Sequence, residues 1–168
     1  MRFTAPALAL SLAVAVTASV GMTAERQPDP RAAALVAQGK SSLAAGNVQA
    51  AIDAFEAALA VDPGFTAVYL DLGEAARREG LQGQAIHYYR EALARDPQNL
   101  AAISGEGEAM LEKGAVEKAK RNLAKLQSLC GTGCSEAKEL AAAIQAGPPR
   151  QPVLTADAVS PDPVVTQN

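Results

Sequence analysis

The chain has 168 residues and a formal net charge of −3, with 49% apolar residues, no tryptophan, two cysteines and a single histidine. That length holds one modest domain, and an excess of acid gains little from phosphates, so no nucleic-acid partner is expected. Two cysteines and one histidine are too few ligands for the common metal sites, so neither metal nor cofactor is expected.

Residues 1–24 have the layout of a signal peptide: Arg2, an apolar run over 7–20, then small residues up to Ala24 before Glu25 and Arg26. A spanning helix needs about 20 apolar residues, more than this run offers, so no membrane span is expected after cleavage. The compact Ala-rich signal points to a bacterial periplasm, or to secretion. Residues 25–31 read as a linker.

Compared with itself, the middle of the chain repeats at an offset of 34. Gly39, Gly73 and Gly107 fall in step, as do Gly46, Gly80 and Gly114, and Ala51, Ala85 and Ala119. Phe55, Tyr89 and Leu123 share a large apolar position, Ala58 and Ala92 a small one, and Asp62-Pro63 and Asp96-Pro97 a stop. A period in this range marks stacked units, here 32–65, 66–99 and 100–133. Within each unit apolar residues recur at helical spacing in two stretches, for example Tyr69, Leu72 and Ala76, then Ala85, Ile86, Tyr89 and Leu93. Gly46, Gly80 and Gly114 separate the stretches, where a left-handed helix C-cap favours glycine. Gly39, Gly73 and Gly107 face the paired helix, where a side chain would hold it away.

These residues are similar to the tetratricopeptide repeat, a 34-residue unit with an early Gly, a Gly at the turn, then Ala, an aromatic residue, Ala and Pro. Unit two fits nearly throughout, with Tyr69, Leu72, Gly73, Gly80, Ala85, Tyr89, Ala92 and Pro97. Unit one departs at Gln38, and unit three at Glu106, Leu126 and Gly131. The resemblance covers 32–133. It implies an all-α, right-handed superhelical solenoid of three helix-turn-helix units.

Ala137, Leu140, Ala141 and Ile144 continue the same register, so 134–146 reads as a first helix without its partner, the cap a solenoid needs. Ser135 is its expected N-cap. Residues 147–168 hold five of the ten prolines and no aromatic residue, and read as a disordered tail.

Cys130 and Cys134 flank the turn before the capping helix. In an exported protein such a pair suggests a disulfide, and closing so short a loop contributes about 2 kcal/mol before strain. The alternative is a thiol-disulfide redox accessory, although common oxidoreductases place two residues between the cysteines in a strand-helix context. Glu106 and Glu108 read as surface charge. Tyr88 and His87 read as outward-facing, and no nucleophile motif accompanies the histidine, so no catalytic residue and no enzyme activity are expected.

In the tetratricopeptide family the first helices line a concave wall that receives a peptide or partner surface. Carried over position by position, the resemblance places Val36, Lys40, Leu43, Leu70, Glu74, Arg77, Glu108 and Leu111 on that wall. The four apolar members are expected to be exposed there. Some family members grip a C-terminal carboxylate with Lys, Asn and Arg, a pattern that Val36, Lys40, Glu74, Ala101 and Gly105 do not reproduce. The reading is an exported adaptor that binds an unidentified protein or peptide, in envelope assembly or maintenance. A self-associating structural module is a further alternative.

Overall fold

The computed structural model describes residues 27–149, so the expected signal segment and most of the expected tail lie outside the described residues. Pro30 stands at the first helical position, and the Asp29 carboxylate accepts from the Arg31 backbone N–H at 2.8 Å. Proline at that position lacks only a donor that no helix could use, and the side-chain oxygen satisfies one of the orphan N–H groups. Helix α1 (Pro30–Ala44) therefore begins inside the stretch read as linker.

Six helices follow among the described residues: α2 (Val48–Val61), α3 (Val68–Arg78), α4 (Gln82–Arg95), α5 (Leu100–Glu112), α6 (Val116–Cys130) and α7 (Ser135–Ala146). The described residues contain no strand. Each of α1, α3 and α5 packs on the helix after it, and each pair packs on the next. Helices α1, α3, α5 and α7 also touch in succession, which lines them up as one layer of an all-α repeat solenoid.

The turn inside each pair is one local device used three times. Gly46 has φ of +80°, a left-handed conformation that costs a side-chain-bearing residue steric strain. It lets Asn47 N–H reach back to the Ser42 carbonyl at 2.9 Å, and Leu81 to Ala76 and Ala115 to Met110 repeat the bond at 2.8 Å.

Packing follows the repeat in the first two units. Phe55 is fully buried, and a Cβ on Gly39 would run into its ring. A Cβ on Gly73 would likewise lie 2.7 Å from Tyr89. Gly105 of α5 approaches the same ring, so glycines of two successive units both lie against Tyr89. One apolar cluster joins α1, α2 and α3 through Val36, Phe55 and Leu72, and a second joins α3, α4 and α5 through Ala76, Tyr89 and Ala102.

Unit three is closed differently. Leu126, in place of the family's alanine, is fully buried with Ile103, Ala137 and Leu140, whereas Leu123 is only partly buried. A Cβ on Gly107 would lie 2.6 Å from Leu140 of α7. Ser135 does not cap α7 as expected: the N-cap position falls on Cys134, and the Ser135 hydroxyl donates to the Glu136 carboxylate at 2.8 Å.

Glu106 is not the surface charge the sequence suggested. It is 7% exposed, 2.7 Å from the Arg90 guanidinium, and accepts from Asn122 Nδ2 at 3.0 Å. Asn122 Nδ2 also donates to the Ile103 carbonyl at 3.0 Å. A charge this far from water persists because it is paired and hydrogen-bonded.

Candidate functional site: a carboxylate-lined groove

Helices α3, α5 and α7 enclose a groove of about 440 Å³ on their shared layer. Leu70, Asp71, Glu74 and Arg77 come from α3, Ser104 and Glu108 from α5, and Glu136 and Glu139 from α7. Helical spacing explains the α3 set, because residues three and four apart lie on one face. Tyr89 and Gly105 form part of its lining.

Arg77 organises the polar wall. Its Nη1 lies 2.6 Å from Glu108 Oε2 and 3.2 Å from Glu74 Oε2, and its Nη2 lies 2.6 Å from Glu112 Oε1. Burial opposes its charge, but the hydrogen bond to Glu112 and the charges of Glu108 and Glu112 outweigh that and hold the guanidinium above its ordinary range. Gln82 supports the same carboxylate from α4, donating to Glu112 Oε2 at 3.1 Å. Burial pushes the Tyr89 phenol up to about 12, against the lowering effect of Arg77, so it stays a neutral hydroxyl at ordinary pH. Burial also raises the Asp71 carboxyl, which Lys40 at 3.4 Å partly offsets.

Of the eight wall residues expected from sequence, the structure brings Leu70, Glu74, Arg77 and Glu108 into this one groove. Lys40 is exposed at its edge, tied to Asp71. Val36 and Leu111 depart from expectation: they are 7% and 3% exposed and belong to the core. Val36 packs in the first apolar cluster, and Leu111 packs with Met110 and Ala119 against Ala143 and Ile144 of α7. Leu43 is half-buried against the first cluster and offers little free surface. The capping helix is one of the elements packed on the cluster that holds Leu111.

Sequence reasoning missed Asp71, Glu136 and Glu139 as lining residues. The signal was present: Glu136 and Glu139 stand off the apolar stripe of a helix already read as continuing the repeat. Tyr88 also departs from expectation, since it is half-buried between the first two clusters and its hydroxyl donates to Glu56 Oε1 at 2.9 Å. Burial first, then Glu56, pushes that phenol up to about 12. His87 is exposed, as its outward placement predicts.

The sulfurs of Cys130 and Cys134 lie 2.05 Å apart, with the Cα atoms separated by 6.0 Å across the α6–α7 turn. Among the described residues no group of three or more His, Cys, Asp or Glu is placed to hold a metal ion. No described helix is long and apolar enough to cross a membrane.

Paired helices stacked in one direction, with a grooved layer of first helices, define a helical-repeat solenoid. Two family models, both described as tetratricopeptide repeat, match residues 36–99 and 76–144. The chain belongs to the tetratricopeptide-repeat family.

Among solved structures it is similar to the first tetratricopeptide domain of Spaghetti (RPAP3) bound to an HSP90 peptide. The identity is 24% and the TM-score 0.62, covering 69% of this chain and 92% of that one. It is also similar to the Sgt2 domain from Aspergillus fumigatus, at 23% identity and TM-score 0.64, covering 75% and 90%. A third is the Yersinia enterocolitica type III secretion chaperone SycD in complex with a peptide of the translocator YopD. That match has 24% identity and TM-score 0.59, covering 68% and 86%. At these identities the likeness is one of fold. No curated protein sequence matches the chain.

Proposed function

We propose that this protein is an exported, non-enzymatic adaptor that holds a segment of a partner protein in the groove between α3, α5 and α7. The observation that carries the reading is the groove itself: a cleft of about 440 Å³ with an apolar side chain at Leu70 and fixed polar groups around Arg77. Apolar contact supplies affinity on desolvation, and fixed charges orient the ligand and reject others. Two proteins of similar fold are described as bound to peptides, which supports the reading.

Export rests on the signal-like residues 1–24 and on the cysteine pair. A Cys130–Cys134 bond would tie the last turn of α6 to the start of α7, the helix that completes the groove. That is a staple's position, and it favours a structural role for the pair over redox exchange. Function in envelope assembly or maintenance follows from this compartment.

Site-specific photo-crosslinking in the native host tests the groove. A crosslinking residue in place of Leu70 should yield an adduct with a second protein. The same residue in place of Ala124, exposed on α6, should not. Adducts from position 124 alone would remove the groove from the mechanism.

A further inference from the structure

The groove has a marked charge imbalance. Among the described residues, Asp71, Glu74, Glu108, Glu136 and Glu139 line it against a single cation, Arg77. That cation is already committed to Glu74, Glu108 and Glu112. Arg78 attends Glu74 from the side at 2.8 Å, and Lys40 attends Asp71 at 3.4 Å. On α7 the Glu136 side chain accepts from the Ser135 hydroxyl, which carries no charge. Glu139 is exposed and makes no ion pair among the described residues.

The wall also displays the ligand chemistry it accommodates. Three carboxylates from two helices are arranged around the Arg77 guanidinium at bonding distance, 19% exposed. Planar guanidinium groups match carboxylates in paired hydrogen bonds. Toward α7 the acidic surface continues, and among the described residues no cation of the lining stands against Glu136 and Glu139. Beside it lie Leu70, Ala101 and the edge of Tyr89, which suit an apolar neighbour.

We infer that the groove's ligand is a cationic peptide segment, carrying Arg or Lys next to an apolar residue, with the cation seated against Glu136 and Glu139 and the apolar residue against Leu70. This inference rests on the groove reading above and names its partner class. Like charges set opposite one another in an interface cost binding, so the same wall rejects an acidic tail or a free C-terminal carboxylate.

The test pans a library of short random peptides against the full mature chain and, in parallel, against Leu70→Asp. Peptides recovered on the parent and lost on the variant should carry an excess of Arg and Lys. Binding of a selected peptide should fall by about tenfold between roughly 0.05 and 0.5 M salt. Glu136→Gln combined with Glu139→Lys should cost about tenfold in affinity and flatten that salt dependence, with the helical circular dichroism unchanged. Groove-dependent peptides that are neutral or acidic overturn the cationic assignment while the groove reading stands. Peptides that survive Leu70→Asp, or recovery of none, overturn the groove reading and the assignment with it.

Discussion

Units one and two close on themselves, and unit three does not. In the first two, a second-helix aromatic, Phe55 or Tyr89, lies against a glycine of its own first helix, and an alanine one turn on makes room for the neighbour. In unit three both positions carry leucine: Leu123 is partly buried, Leu126 is fully buried, and the space over Gly107 is filled by Leu140 from α7. The third glycine keeps its place in the repeat but serves a different partner. A repeat position specifies a close approach, and which helix makes it depends on the side-chain volume available nearby.

Truncating the large side chains breaks this contrast most directly. Phe55→Ala removes a fully buried ring from between two helices and should cost about 3–5 kcal/mol of unfolding free energy in denaturant titration. Leu123→Ala, at the same repeat position, should cost clearly less. Equal losses would mean that unit three closes like its predecessors.

Leu140→Ala should cost about 2–4 kcal/mol, because this fully buried leucine is the side chain nearest to Gly107. Hydrogen exchange should show the loss concentrated in α5, α6 and α7, since solenoid stability is carried by neighbouring interfaces. Uniform loss over α1 to α7 would contradict a separately closed third unit.

The smallest effect belongs to the cysteines. With Cys130 and Cys134 bonded, Cys134→Ser should lower stability by about 2 kcal/mol or less and loosen α7 first. Free-thiol titration of unreduced protein checks the bond directly, and two reactive thiols would remove the staple.

A second comparison, between the two ends of the expected wall, explains why the site was read only in part. At α3 the expected residues fall together, because Leu70, Glu74 and Arg77 share one face of one helix and helical spacing alone places them there. At α1 and at the end of α5 it failed for Val36 and Leu111. Whether a side chain on a known face is exposed depends on what covers that face. Leu111 belongs to a cluster packed by Ile86 of α4, Val116 of α6, and Ala143 and Ile144 of α7. Tyr88 and Glu106 failed the same way, one bridged to Glu56 on another unit, the other enclosed by Arg90 and Asn122.

Sequence alone determined the elements of this protein. Period, punctuating glycines and Asp-Pro stops are local signals, written in residues whose backbone preferences act within a few positions, so the helix pairs and their stacking order were legible. Only the tertiary structure decided that Leu140 completes unit three, that one tyrosine lies against glycines of two units, and that the groove is acidic. Those outcomes depend on side chains brought together from three or four helices, and no one-dimensional pattern records the distance between them.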